Sequence, residues 1–359
     1  MIEDREGFFN VVLFDILTQK TLKTFTIQTS GVESSILVGA RLQSLSELVP
    51  DHAVIITDQV VNDLYGEHWE GCRTIITGQG EKNKTLQTVE EIYSRLLEFE
   101  VDRSGFVLGV GGGIVCDIAG FVASTYMRGI RFAFVPTTLL AQVDASIGGK
   151  NGVNFQGYKN MVGTFNQPHF ILSDPLVLKS LPHNERSNGF AEIVKHALIA
   201  DEDLFGYILN NAEGMKRLDE QVISHLVKRS VEIKSNIVNL DEREKGERRK
   251  LNFGHTFGHA IEKVTGISHG QAVSLGMVIA ARLSLKRGFI MDYDLERIRN
   301  VLEQLNLPTQ MDFDKPAMLQ ALMKDKKREQ DAMHFILLGS IGNAVVEKIS
   351  VKKLIEFEF

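Results

Sequence analysis

The alternation of apolar and polar positions divides the chain into two stretches with different periods. In the first, short β-branched runs (SSILVG, AVIITD, RTIITG, GFVLGV, FAFVPT) alternate with segments whose apolar residues recur every three or four positions, predicting helices over 41–48, 59–65, 85–99 and 114–126. Strands and helices in that order imply a parallel sheet covered on both faces. Upstream, FFNVVLFDIL and KTFTIQT read as an N-terminal ribbon of strands. After Asp174 the strand runs stop until HFILL near Phe335, and the spacing predicts helices over 184–199, 218–240, 249–264, 272–287 and 295–305. The change of period falls in DPLVLKSLP, where two prolines flank a helix-start signal. We therefore divide the chain into an α/β domain over 1–178 and a mainly helical domain over 179–359.

Composition agrees with that division and excludes several classes of partner. A chain of 359 residues is longer than one core ordinarily serves, and 43% apolar with 24% charged residues is ordinary for a soluble globular protein. The formal charge is -6, with lysine and arginine scattered, so no basic face is offered to nucleic acid. Two cysteines, Cys72 and Cys116, make no disulfide framework and fit a reducing compartment. The start, MIEDREGFF, has no export pattern, so a cytoplasmic location is expected. The most apolar window, 106–123, holds five glycines and Asp117. A central aspartate costs about 3 kcal/mol in a bilayer, which makes the window a buried strand and helix.

Three stretches carry candidate chemistry. Gly109-Val110-Gly111-Gly112-Gly113 lies between a strand and a helix, where bare amides and a helix N-terminus can hold a pyrophosphate. The usual fingerprint is incomplete: its last position is Ile114, and the acid expected about twenty residues on is missing, leaving Asp117 as the nearby carboxylate for a ribose hydroxyl. Glycines that merely allow tight packing are the alternative. From Thr137 to Asn160 a polar, glycine-rich loop holds Asp144, Lys150 and Lys159, suited to phosphate or carboxylate oxygens. Finally, KLNFGHTFGHAIEKVTGISHGQ sets His255 and His259 four apart on one helical face, and a glycine break returns His269 toward them. Two helical histidines with one outside ligand leave a position open on a metal, whereas a chance HxxxH pair is the alternative. AEIVKH supplies a candidate outside ligand, because Glu192, Lys195 and His196 sit in an otherwise apolar helix and demand partners. A solvated Glu-Lys pair is the bland reading of that segment.

Taken together, GVGGGIVCDIAGF, YMRGI, FVPTTLLAQVDASIGGKNGVN, KNMVGTFNQP, GFAEIVKHALI and LNFGHTFGHAIE followed by HGQAVSLGM resemble the 3-dehydroquinate synthases, sugar phosphate cyclases, over about 36–342. The resemblance implies a nucleotide-binding parallel-sheet domain followed by a helical metal- and substrate-binding domain. It also implies NAD, a divalent metal (Zn2+ or Co2+), and conversion of 3-deoxy-D-arabino-heptulosonate 7-phosphate to 3-dehydroquinate and phosphate. It places the metal on Glu192, His255 and His269, and gives His259 to the substrate phosphate and proton transfer. NAD contacts fall on Asp58, Glu81, Lys84, Gly111, Gly112, Gly113, Asp117, Thr137, Thr138, Lys150, Lys159 and Ser180. Substrate contacts fall on Asp144, Lys150, Asn160, Lys195, Lys234, Arg248, Asn252, His259, and Lys326 or Lys327. Asp144, Lys195, Glu244 and His259 carry catalytic roles. Arg128 corresponds to a residue that reaches the neighbouring subunit's site, implying a homodimer. Gln271 stands where glutamate is common, which would remove a charge near His269, and Asp331 replaces a usual glycine.

Two other enzymes and one non-enzyme compete with that expectation. A sister cyclase would take a sugar phosphate without a carboxylate, against which Lys234, Arg248, Asn252 and the lysine pair argue. A metal-dependent alcohol dehydrogenase would accumulate NADH. A scaffold would have no use for so many costly polar groups.

Overall fold

The computed structural model describes residues 22–29, 32–323, 328–329 and 332–350. FFNVVLFDIL, Lys326, Lys327 and Asp331 lie outside them. The chain forms two compact units, Met1–Leu181 and Pro182–Phe359.

The first unit is built on a seven-stranded sheet of β1 (Lys23–Thr29), β2 (Val32–Val38), β3 (Val54–Asp58), β4 (Arg73–Thr77), β5 (Phe106–Gly111), β6 (Arg131–Pro136) and β9 (Phe170–Ser173), ordered β1-β2-β9-β6-β5-β3-β4. All neighbours are parallel except β1 and β2, which pair antiparallel along the edge. Every residue of β5 is buried, as expected of a strand covered on both faces. One face packs Leu37, Ile55, Leu108, Val110, Val135 and Leu172 against Leu42, Leu45, Leu48 and Trp69. A buried aliphatic or aromatic side chain of this kind contributes about 1.5–3 kcal/mol. The helix Gly113–Thr125 packs on β5 and β6. Gly109 permits the approach, since a Cβ there would stand 2.8 Å from that of Ala119.

One expectation fails within this unit. The polar stretch read as a loop forms a hairpin, β7 (Lys150–Phe155) paired antiparallel with β8 (Tyr158–Phe165). Gln156 and Gly157 turn it with φ of 47° and 79°, the left-handed pair that a two-residue hairpin turn requires.

The second unit is mostly helical: His183–Ala200, Glu202–Arg217, Glu220–Leu240, His255–Thr265, His269–Lys286, Asp292–Gln304 and Lys315–Met323. Two of these, Glu202–Arg217 and Lys315–Met323, were not anticipated. Nor was the antiparallel set β10 (Arg328–Glu329), β11 (Ala332–Ser340) and β12 (Asn343–Ser350), of which only HFILL had shown a strand pattern. Phe257, Ile261, Leu275, Ile279 and Leu283 pack on Phe335 and Leu337 of β11. The helix expected over 249–264 is interrupted: a short turn, Glu247–Asn252, ends before Gly254, whose φ of 78° a side chain would resist. The break starts a new helix at His255. A Cβ on Gly276 would lie 2.0 Å from the Gly254 carbonyl oxygen, so only glycine lets these two helices meet at that depth.

Candidate metal centre and nucleotide loop

In the second unit, three helices bring together the candidate metal ligands that the family resemblance names. Glu192 is wholly buried on His183–Ala200, His255 opens its helix, and His269 opens the next. The Glu192 Oε1 lies 3.3 Å from His255 Nε2 and 3.1 Å from His269 Nε2. Ligand atoms about 2.1 Å from one tetrahedral ion stand about 3.4 Å apart, so the three groups fit zinc or a metal of similar size. His259, four residues after His255, is exposed and is not one of this group of possible ligands, whose donor atoms all lie within 4.8 Å of one another.

Local contacts prepare each candidate ligand. His255 Nδ1 lies 3.2 Å from the Phe253 carbonyl oxygen, which can only accept. That carbonyl can take the Nδ1–H of the neutral ring, which would leave Nε2 to a metal bound beside Glu192. Burial pushes His255 below its ordinary pKa, with Glu192 opposing and Lys195 reinforcing the shift, which favours the neutral ring a metal needs. For His269 burial acts the same way, but hydrogen bonding and charge from Glu192 and Glu262 outweigh it and raise the pKa to about 9. The other oxygen of Glu192 is ion-paired with Lys195, which is 1% exposed. Asn188, one turn before Glu192, accepts the Gly270 N–H at 2.8 Å and so ties the Glu192 helix to the start of the His269 helix. Asn188 carries no chemical signature in the sequence.

Nearby in the same unit, Asp241 organises the loop that carries Glu244 and Arg248. Burial would raise its pKa, yet the N–H groups of Lys245, Gly246 and Arg248 donate to it and hold it below the usual range. Arg248 is buried and donates to the Glu242 carbonyl, while the Asn252 amide donates to Glu244, which is held at a φ of 59°. Lys234 is also buried, 5% exposed.

In the first unit, the strand ends carry the residues assigned to NAD. Gly111 ends β5, and Gly112 and Gly113 begin the following helix. Their smallness is also a packing requirement: added Cβ atoms would come within 2.7 Å of Val115 at Gly111 and 2.9 Å of Ala145 at Gly113. Lys84, buried, pairs with Asp117 and donates to Asn160 Oδ1 at 2.5 Å. Glu81 accepts from Asn154 at 2.8 Å, so the β7–β8 hairpin is bonded to the Glu81–Lys84 turn. Asp58 and Thr138 cap the turns that follow β3 and β6, and Thr137 is buried beside Thr138. Ser180 lies 2.7 Å from the Tyr65 hydroxyl. Asp144 sits in a wide helical turn, Ala141–Ala145, partly buried; Lys150 and Lys159 are exposed on the hairpin. Arg128 is exposed in a tight turn where it and Met127 both have positive φ, 70° and 50°.

Comparison with known proteins decides the family. A relative from Halorhodospira halophila, named 3-dehydroquinate synthase, is 44% identical over 307 residues, covering 83% of this chain and 87% of its own. The family models for the 3-dehydroquinate synthase N-terminal and C-terminal domains match residues 74–188 and 189–328. The chain belongs to the 3-dehydroquinate synthase family. Solved sugar phosphate cyclases share the fold. A 2-epi-5-epi-valiolone synthase from Streptomyces hygroscopicus, with NAD+ and Zn2+ bound, is 29% identical with a TM-score of 0.84, covering 92% of this chain and 96% of its own. A 2-deoxy-scyllo-inosose synthase complexed with carbaglucose-6-phosphate, NAD+ and Co2+ is 25% identical with a TM-score of 0.83, covering 93% and 98%.

Gln271, where the resemblance leads us to expect glutamate, fills a helix-capping position that either residue can occupy. Gln271 Oε1 accepts from the backbone N–H and the hydroxyl of Ser268, at 3.2 and 3.1 Å, and so caps the helix that starts at His269. A carboxylate does stand beside His269, but it is Glu262, whose Oε2 lies 3.9 Å from His269 Nδ1.

Proposed function

We propose that this family member is a 3-dehydroquinate synthase, a carbon–oxygen lyase that uses NAD and a divalent metal held by Glu192, His255 and His269. The observation that carries the reading is the buried carboxylate between two imidazoles whose Nε2 atoms face it at 3.1 and 3.3 Å, with Lys195 on its other oxygen. When bound, the metal would supply polarisation of the hydroxyl to be oxidised, and NAD would supply a reversible hydride acceptor.

The chain's own residues do the rest. In the second unit, Lys234 and Arg248 are cations buried away from water, where a carboxylate partner is worth most, and this favours a carboxylate-bearing substrate over the sugar phosphates without a carboxylate that sister cyclases take. Asn252 and exposed His259 offer donors for a phosphate, and His259 would take a proton. Glu244, fixed by the Asn252 amide, and Lys195 serve the other proton transfers. In the first unit, Gly111, Gly112 and Gly113 present the N-terminus of Gly113–Thr125 to the NAD pyrophosphate. Asp58, Glu81, Asp117 and Ser180 are oriented acceptors for its hydroxyls, and Lys84, Thr137, Thr138 and Lys159 complete that set. Asp144, Lys150 and Asn160 are the substrate contacts from this unit. Arg128 would act in the neighbouring subunit of a homodimer. No helix among the described residues is long and apolar enough to cross a membrane, and a cytoplasmic enzyme is part of the proposal.

The test is to supply 3-deoxy-D-arabino-heptulosonate 7-phosphate with catalytic NAD and to follow phosphate and NADH together. Phosphate should appear in large molar excess over NAD without net NADH. Stoichiometric NADH from a simple polyol, with no phosphate released, would establish the dehydrogenase reading instead.

A further inference from the structure

We propose that Glu262 is a positioning residue for His269: its carboxylate takes the Nδ1–H of the imidazole, so that Nε2 is held as a lone-pair donor toward Glu192 and His255. The proposal rests on the reading of Glu192, His255 and His269 as the metal-binding set.

Glu262 is seven residues after His255 on the helix His255–Thr265, so the two lie on one stripe of that helix, with His259 between them. Gly266 then reverses the chain at a φ of 72°, and His269 starts the next helix facing back toward that stripe. Its imidazole lies between two carboxylates on opposite edges: Glu192 Oε1 at 3.1 Å from Nε2 and Glu262 Oε2 at 3.9 Å from Nδ1. At 3.9 Å the charges interact directly, and the glutamate side chain has the torsional freedom to close to a hydrogen bond. Glu262 is 18% exposed in its side chain, and His269 28%, so the pair is partly shielded from water.

Two further observations separate this role from that of an ordinary surface carboxylate. His255 already has the equivalent partner on its Nδ1, the Phe253 carbonyl; Glu262 gives His269 the matching acceptor. And the charge of Glu192 is offset by Lys195, which leaves the three ligands and that lysine without net negative charge. Glu262 restores one negative charge at the rim, where it attracts a dication. Gln271 cannot substitute for it, since it is neutral and its Oε1 is engaged by Ser268.

The experiment uses the full chain, stripped with a chelator, and measures Zn2+ affinity by competition with a chromophoric chelator together with the visible spectrum of the Co2+-loaded protein. E262Q preserves the shape and removes the charge; loss of a residue orienting a metal-bound histidine typically costs 10–100-fold in affinity. We expect a drop in that range, a shifted Co2+ band, partial recovery in E262D, and no change in Q271E. H255A serves as the control for the underlying reading. A wild-type protein that binds one Zn2+ while E262Q matches its affinity and its Co2+ spectrum overturns the role of Glu262 and leaves the metal set intact. Equal, negligible binding by wild type and H255A overturns both. A tenfold gain in Q271E would move the role to position 271 and overturn the assignment to Glu262.

Discussion

Substituting Lys195 by methionine should destabilise the metal-free protein more than the zinc-loaded one. Glu192 and Lys195 are 0% and 1% exposed and ion-paired, so the lysine is part of what keeps a carboxylate charged in the core. Removing one partner of such a pair costs about 3–5 kcal/mol, because the remaining charge is stranded, and methionine keeps the apolar stem so that the change isolates the charge. Here the lower end applies, since His255 and His269 still face the other oxygen. For a unit of this size about 3 kcal/mol corresponds to a fall of roughly 6–12 °C in Tm. A dication on the same carboxylate replaces the missing positive charge, so the gap between Lys195→Met and wild type should shrink when zinc is saturating. Scanning calorimetry of both proteins, with excess chelator and then with zinc, measures the two gaps. Equal melting in chelator, or a gap that zinc leaves unchanged, would refute the argument that Glu192 is charged and metal-facing.

Further expectations follow from the same site. With His269 raised to about 9, the metal-free protein holds a proton there at pH 7.5, and zinc must displace it; calorimetric titrations in buffers of different ionisation enthalpy should show about one proton released per metal. The sign for stability is the reverse of a carboxylate's: the contribution of His269 to the metal-free fold is complete below its ordinary pKa of 6.5 and is lost as pH rises through about 9, which pH-dependent melting in chelator reads directly. Asn252→Ala removes an amide donor to Glu244, and should slow phosphate release by about 10²-fold in a coupled phosphate assay, with substrate-independent metal content unchanged. If Arg128 acts across a dimer, mixed dimers of Arg128→Ala and Lys195→Met chains should recover activity through hybrid sites, and confirmed mixed dimers without activity would exclude it.

The parts of the fold that were legible in the sequence are those where one local rule decides. GFVLGV is a strand because six consecutive buried positions suit only a covered strand of that length, and the glycines after it mark where a helix begins. The β7–β8 hairpin was hidden because its turn is Gln156-Gly157 instead of asparagine-glycine, and because Gly152 and Gly163 lack side chains to show a period of two. Those glycines are needed by the partner strand: a Cβ on Gly152 would meet the Val162 carbonyl oxygen at 2.7 Å. The charged surface of Glu202–Arg217 likewise masked a helix whose buried side is only Leu204, Phe205, Ile208, Ala212, Gly214 and Met215.

At the candidate site the same division separates groups that are costly by themselves from groups that act through a neighbour. A glutamate and a lysine inside an apolar helix are conspicuous in any sequence, since burial without partners would be prohibitive, and Glu192 and Lys195 were singled out on that ground. Asn188, Asp241 and Glu262 carry no such signal, because each is an ordinary polar residue on a helix or turn until its partner is known. Asn188 serves Gly270, 82 positions away, and Asp241 gathers three backbone amides within its own loop. The histidine spacing shows how far local geometry reaches: His255 and His259 do share a helix face, with ring centroids 5.3 Å apart, yet the ring that joins His255 at Glu192 is His269, brought there by the reversal at Gly266 and the glycine contacts between the two helices. Spacing on one helix identifies candidates for a ligand set, and it is the chain reversal that selects among them.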